Sequence, residues 1–398
     1  MRALILATDV FTLGGIARYT STMASAMGKL LGPENVDVLC FFNWGDTGAR
    51  PTQFNVLSAV SGRQRAGVVS RVRFLLQAAA AGARGYDLVV ANHVALAPVA
   101  AMMKLTFGKP YWVACHSVEV WWGMSRARQF ALRRADLVLP VSAFTAEVVQ
   151  KKFGIPSSRI RVLYNAVPDE FATHLSAQPI LRAAPDFPDA SPVLLSVCAL
   201  VPGNEFKGVD TVIESLPALL KSFPSLLYIV VGEGELRPPL EALAERRSVA
   251  RAVRFVGAVS DAELAALYRR CDVFVLPSRG QQQQDSAGGE GFGRVYVEAA
   301  LAGKPVVGSR TGGAAEAVVA GQTGYLVNPD SSAELAQALR TLLGDPELAA
   351  RMGSAGRAWA AKHFSEKALC EALEPMLMPY RSQRRPLAAP AEVGEAHP

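Results

Sequence analysis

The sequence predicts an α/β protein built as two doubly wound, Rossmann-like parallel sheets, and three observations predict it. Short Val, Ile and Leu runs recur with helix-length amphipathic segments between them, the pattern of strands buried on both faces by crossover helices. The chain has 398 residues, room for two or three domains. A Pro-containing stretch without clear periodicity, Asp169 to Pro192, reads as a linker and divides the chain near residue 185.

In the first half the strand-like runs begin near Ala3, Val36, Asp87, Tyr111, Leu137 and Val162. In the second they begin near Val193, Leu226, Arg254, Val273, Pro305 and Tyr325, so each half has enough strands for its own sheet. Arg133-Arg134-Ala135-Asp136 leads into Leu137, and Arg269-Arg270-Cys271-Asp272 leads into Val273, an echo that fits either two similar halves or ordinary α/β grammar. After Tyr325, helical spacing marks Ser331 to Leu343, Pro346 to His363 and Ser365 to Met378, with Ser331 and Ser365 as caps. The expected domains are therefore 1–185 and 186–375, with 376–398 a helix end and frayed tail.

Composition narrows the class. Half the residues are hydrophobic and 19% charged, which describes a core-rich folded protein rather than a disordered one. The net charge of +6 comes without a polybasic run, so nucleic acid is not an expected partner. The charge is unevenly placed: residues 1–190 carry 20 Lys and Arg against 12 Asp and Glu, and residues 191–398 carry 21 against 23. A basic first half fits an anionic membrane surface or phosphorylated ligands as well as scattered solubilising charge. Arg63, Arg65, Arg71 and Arg73 lie near an apolar stretch from Val68 to Ala81, which fits either a lipid-docking helix or a core-facing one. The opening apolar run is too short for a signal peptide, and no run approaches a membrane span, so the expected location is cytoplasmic or peripheral on the inner face of the membrane. Five cysteines without a C-x-x-C pair read as buried free thiols, and no metal site is expected.

Ligands of open α/β sheets bind at the carboxyl ends of strands, which directs attention to four loops. Gly14-Gly15 follows the first strand, where glycines and the free N–H groups of a helix start suit a phosphate, or simply a tight turn. Phe206-Lys207-Gly208 sets a lysine at the next such mouth; a charge-assisted hydrogen bond to phosphate is worth roughly 1.5–3 kcal/mol, and a solvated surface lysine is the plainer reading. Gly289-Glu290-Gly291-Phe292-Gly293-Arg294 runs on to Glu298, a glycine loop with two acids eight residues apart, and carboxylates accept from several hydroxyls at once. His116 ends the Tyr111 run and His93 another; either is a polar contact or a structural histidine. The low-complexity loop from Gln281 to Gly289 follows a strand end. No Ser-His-Asp order, H-E-x-x-H, P-loop or dinucleotide fingerprint is present.

These residues together resemble the retaining glycosyltransferases of family 4, which have the GT-B fold. The resemblance rests on Gly14-Gly15, Lys207-Gly208, the E-x(7)-E motif from Glu290 to Glu298, Gly303-Lys304-Pro305, and Gly312-Gly313 followed by Glu316 and Gly324, and it spans Met1 to about Met378. The segment His116 to Trp122 is further similar to mannosyltransferases of that family acting on lipid-linked or inositol-containing acceptors. What the resemblance implies is a GDP- or UDP-sugar donor in the second half, across a cleft from a glycan or lipid-linked acceptor in the first, with no cofactor. In family terms Lys207 and the Gly14-Gly15 backbone hold the diphosphate, Glu290 with the Phe292 and Gly293 backbone the sugar, and Glu298 the ribose. The base lies near Val259, and His116 sits beside the sugar. It implies retention without a protein nucleophile and without a metal. The family's arginine ahead of the lysine is Ala199 here, and Arg294 is a substitute only if it points inward. The expected activity is hexosyl transfer in glycolipid or surface-polysaccharide (such as lipopolysaccharide) synthesis, with GDP-mannose the donor guess. A sugar phosphorylase, a nucleotide-sugar epimerase or a non-catalytic nucleotide-sugar-binding subunit are the alternatives.

Overall fold

The computed structural model describes residues 1–11, 14–41, 52–58, 68–121, 123–176, 191–280, 282–283, 286–287 and 289–381. In the first half β1 (Ala3–Ala7), β2 (Val36–Cys40), β3 (Asn55–Ser58), β4 (Leu88–Ala91), β5 (Tyr111–Cys115) and β6 (Leu137–Pro140) make one parallel sheet in the order β3-β2-β1-β4-β5-β6. In the second half β7 (Val193–Val197), β8 (Leu227–Val231), β9 (Val253–Gly257), β10 (Val273–Val275), β11 (Val306–Ser309) and β12 (Gly324–Val327) repeat that order as β9-β8-β7-β10-β11-β12. The runs are apolar because both faces are covered: every residue of β1 and of β5 is buried.

Two first-half expectations are corrected. The run near Val162 is not a strand: Arg161 and Leu163 donate to the carbonyls of Val138 and Pro140 at 3.0 and 2.9 Å, but Pro140 has no N–H to return, so no ladder forms. Asn55–Ser58 is a strand instead, at the sheet edge beside β2. The six second-half strands lie where expected.

The helices around the first sheet are α1 (Gly15–Leu31), α2 (Val68–Gly82), α3 (Ala97–Phe107), α4 (Arg126–Arg134) and α5 (Ala143–Phe153), followed by α6 (Asp169–Ser176). Around the second are α7 (Val209–Leu220), α8 (Arg237–Arg246), α9 (Asp261–Arg270), α10 (Arg294–Leu301), α11 (Ser332–Gly344), α12 (Pro346–His363) and α13 (Glu366–Arg381). The linker is thus partly helical: Phe171 and Leu175, four apart, bury one face of α6, while 177–190 lie outside the described residues. Ser331 and Ser365 cap as expected, accepting from the N–H groups of Glu334 and Ala368 at 3.2 Å each.

The sequence echo has a structural counterpart. Asp136 accepts from the N–H of Tyr111 at 2.8 Å and Asp272 from that of Val193 at 2.7 Å, so each aspartate ties its own strand to the start of the neighbouring one. The last helix, α13, packs back on α1 of the first half. Ser25 donates to Glu366 at 2.6 Å, Lys29 pairs with Glu366 at 3.0 Å, and Trp112 donates to the Tyr380 hydroxyl at 3.1 Å. The thiols are free, and burial pushes Cys40, Cys198 and Cys271 up to about 12, which leaves them unreactive near neutral pH. Among the described residues no helix is long and apolar enough to cross a membrane.

Candidate functional site

Each sheet reverses its strand order once, between β1 and β4 and between β7 and β10, and doubly wound sheets bind ligands at the carboxyl ends of the strands there. Gly14-Gly15 follows β1 and His93 follows β4; Lys207 follows β7 and Glu290 follows β10. Topology therefore gathers four separate sequence signals at two switch points.

Gly14 is the extended N-cap residue of α1, and its carbonyl accepts from the N–H of Arg18 at 3.0 Å. A Cβ added at Gly15 meets nothing within 4 Å, so no protein neighbour demands glycine there.

Lys207 ends a short 3-10 turn, Glu205–Lys207, and Gly208 follows with φ +78. A side chain on Gly208 would strike the Pro277 carbonyl at 2.3 Å, so this loop is pressed against the end of β10. Arg279 braces it from below, donating through its N–H to the Phe206 carbonyl at 2.6 Å and through its guanidinium to Asp210 at 2.8 Å. Held this way, the Lys207 ammonium meets the Glu290 carboxylate at 2.5 Å, both side chains largely buried. Ser278 adds a longer contact to Glu290 at 3.5 Å.

The glycine loop behind Glu290 is fixed by backbone contacts that exclude any side chain. A Cβ at Gly313 would fall 2.0 Å from the Gly291 carbonyl, and the Gly313 N–H donates to the Glu290 carbonyl at 2.8 Å. A Cβ at Gly291 would fall 2.4 Å from the His116 carbonyl and 3.0 Å from Ser117 Cβ. The acidic loop of the second half thus touches the end of β5 in the first. Phe292 is buried between Tyr164 and Phe364, with ring centroids 5.4 and 5.1 Å away. Gly293, at φ +81, turns the chain into α10. The N–H groups of Phe292 and Gly293 have no partner among the described residues, the state in which a helix start attracts an anion or a hydroxyl.

His116 is buried at 7% exposure, and its ring Nε2 lies 2.8 Å from the Asn92 carbonyl. A carbonyl only accepts, so Nε2 is the donor in this contact. Tyr19 meets the ring edge-on at 4.9 Å and His93 stacks on it at 6.1 Å. His93 accepts from the Ala95 N–H through Nδ1 at 3.0 Å, and burial lowers its pKa, so it stays neutral. Glu119 accepts from the N–H groups of His116 and Ser117 at 2.5 and 2.9 Å, fixing this strand end. Trp122 lies outside the described residues.

Val259 is half-buried beside Ser260, which begins α9 with a reciprocal capping box to Glu263. Glu298 lies one turn into α10, 1% exposed, with Tyr268 donating to it at 2.9 Å. Arg294 does turn inward, but to Glu298, 2.9 Å away. The Ala199 carbonyl accepts from the Asn204 side chain at 3.0 Å.

Two cross-cleft contacts were not expected from the sequence, although Glu316 in one of them belongs to the family-like run after Gly312-Gly313. Arg18 of α1 makes a bidentate pair with Asp261 of α9, 243 residues away, and lies over the Phe171 ring at 5.9 Å. Glu316 accepts from the N–H groups of Ala143 and Phe144 at 2.7 and 2.8 Å, placing a negative charge at the start of α5 in the opposite half.

Known proteins resemble this chain in sequence and in fold. Residues 13–171 match the family model described as Glycosyltransferase Family 4, and residues 177–359 the model described as Glycosyl transferases group 1. The chain is 35% identical over 275 residues to the GDP-mannose-dependent alpha-(1-6)-phosphatidylinositol monomannoside mannosyltransferase of Mycolicibacterium smegmatis, covering 68% of this chain and 70% of that one. It is 33% identical over 272 residues to the glycogen synthase of Mycobacterium tuberculosis, covering 68% and 59%. Among solved structures, Anabaena HepE in complex with UDP superposes with TM-score 0.76 at 22% identity, covering 95% of this chain and all of that one. Sucrose-phosphate synthase from Thermosynechococcus elongatus gives 0.77 at 21%, covering 96% and 98%.

Proposed function

The chain belongs to the family 4 glycosyltransferases, with the GT-B fold and a nucleotide sugar as substrate, and from that premise we propose that it transfers mannose from GDP-mannose to a lipid-linked or inositol-containing hydroxyl acceptor, with retention and without a metal. The observation that carries the reading is the Lys207–Glu290 pair beside a glycine loop that touches His116 of the other half. The relative of known donor and acceptor supports the choice of mannose and of an inositol lipid.

In this reading residues 1–185 take the acceptor and 186–375 the donor. Lys207 and the Gly14-Gly15 backbone hold the diphosphate, and the base lies by Val259. Glu290 and the free N–H groups of Phe292 and Gly293 hold the sugar, Glu298 meets the ribose, and His116 borders the sugar. The C1–oxygen bond to the diphosphate breaks as the acceptor oxygen bonds C1 on the same face, and the leaving phosphate takes the acceptor proton. Lys207 offsets the charge that grows on the leaving group, which is where fixed charge lowers a barrier most. Lys207 is paired with Glu290, so a diphosphate at the ammonium exchanges one anion for another. The non-catalytic reading raised by Ala199 is not favoured, since the matched relatives are transferases.

GDP, UDP and GDP-mannose test the donor site directly. A ligand at about 100 times its Kd stabilises the native state by about 2.7 kcal/mol, so thermal unfolding is expected to shift upward by several degrees with GDP and GDP-mannose and less with UDP. Absence of a shift with every nucleoside diphosphate removes the donor site; a larger shift with UDP replaces the base.

The membrane part of the proposal rests on α2. Val68, Val69, Val72, Leu75 and Leu76 are all exposed on it, with Arg71 and Arg73 exposed beside them; Arg63 and Arg65 lie outside the described residues. An apolar stripe flanked by arginines fits the cytoplasmic face of an anionic bilayer, each arginine adding about 1 kcal/mol. Vesicles of phosphatidylglycerol and phosphatidylcholine are expected to bind the protein, and the Arg71→Gln/Arg73→Gln variant to bind them at least tenfold more weakly. Equal binding to pure phosphatidylcholine, or no salt dependence, counts against it.

A further inference from the structure

We infer that Arg294 is a donor-binding residue that acts as a pair with Glu298, the two side chains together recognising the vicinal diol of the donor's ribose. The inference rests on the donor site proposed above, where Glu298 alone is assigned to the ribose.

Arg294 is the first residue of α10, and Glu298 stands one turn later on the same stripe. Exposed pairs at this spacing are commonplace, but here the two side chains are 11% and 1% exposed. Removing two charges from water is costly unless their remaining hydrogen-bonding positions are filled. They are filled only in part. Oε2 of Glu298 accepts from the Tyr268 hydroxyl at 2.9 Å. Oε1 lies 2.9 Å from Nη2 of Arg294, close enough for charge neutralisation, yet it has no hydrogen bond of acceptable geometry, and Nη1 of Arg294 has none either. One buried acceptor and one buried donor are thus left open side by side, against the strong tendency of buried polar groups to be paired.

A vicinal diol complements that combination: one hydroxyl donates to Oε1 while the oxygen of its neighbour accepts from Nη1. A lone carboxylate would also take a phosphate-free polyol, but the added guanidinium fixes which oxygen faces which atom. The pair lies under α6, whose Phe171 meets Tyr268 edge-on at 6.4 Å and also lies beneath Arg18 in its cross-cleft pair with Asp261.

The test compares GDP with 2′-deoxy-GDP and 3′-deoxy-GDP by titration calorimetry on the full chain, for the wild type, Arg294→Met and Arg294→Lys. A site built to hydrogen-bond a hydroxyl discriminates strongly against the analogue lacking it. The wild type is expected to prefer GDP about tenfold or more over at least one deoxy form, Arg294→Met to reduce that ratio to about twofold, and Arg294→Lys to restore part of it. A folded Arg294→Met protein that keeps the wild-type ratio, or raises it, overturns the inference, as does a wild type that does not distinguish the three ligands, a result needing no variant. Loss of a merely structural pair would lower the melting temperature without changing the ratio. If the wild type binds no nucleoside diphosphate at all, the donor site itself fails, a separate outcome.

Discussion

Lys207→Ala is expected to lower kcat/KM for transfer about 100- to 1000-fold, the cost of deleting one preorganised charge that faces charge developing in the transition state. Lys207 is suited to that part because its surroundings leave it little freedom: Gly208 is pressed on Pro277, Arg279 braces the turn, and Glu290 holds the ammonium at 2.5 Å. The variant also leaves the Glu290 carboxylate, 13% exposed, without its cation, which by itself destabilises the loop. The double variant Lys207→Ala/Glu290→Gln separates the two effects, since it removes the orphan charge without restoring a phosphate contact. Initial rates with saturating acceptor, together with affinities for GDP and guanosine, decide the matter. Lys207→Ala is expected to bind guanosine normally and to lose most of the preference for GDP. Transfer within tenfold of wild type takes the residue out of the phosphate site.

Gly291→Ala is expected to lower kcat at least 100-fold while changing GDP affinity less than about threefold. The added methyl falls 2.4 Å from the His116 carbonyl and 3.0 Å from Ser117 Cβ, and the first of these is backbone that cannot swing aside. The halves must separate by something near an ångström at this point, and misplacing reacting groups by that much costs on the order of 100-fold. In the proposed site most nucleotide contacts come from the second half, chiefly Lys207 and α10, and only the Gly14-Gly15 backbone reaches across from the first, so GDP affinity is expected to fall little. Transfer kinetics and GDP titration on the same preparation show the split, with small-angle scattering reporting the wider cleft. Equal loss in both measurements places the defect within the loop rather than between the halves.

Much of this site was legible without coordinates because its parts are local. Glycines beside acids mark loops where the backbone approaches something closely, and Gly291, Gly293 and Gly313 are all places where a side chain would collide. Strand and helix positions in the second half followed from continuous apolar runs and helical spacing, and Ser331 and Ser365 cap the helices expected of them. The misreadings have equally local causes. Asn55–Ser58 is short and lies at a sheet edge, where the apolar signal is weak, while the Val162 run is apolar but runs beside Pro140, which cannot return a hydrogen bond.

By itself the sequence determined the α/β class, the two sheets, the glycine-and-acid loops and the family, since all of these are written in residue spacing along one chain. Only the tertiary structure decided which charge meets which between elements: Lys207 with Glu290, Arg18 with Asp261, and Glu316 with the start of α5. Spacing fixes the direction of a side chain within its own element. Whether the Lys207 ammonium finds a carboxylate 83 residues away depends on how the loops after β7 and β10 meet at the end of one sheet, and whether Arg18 finds Asp261 depends on how the two sheets face each other; both are properties of packing between elements that no local pattern encodes.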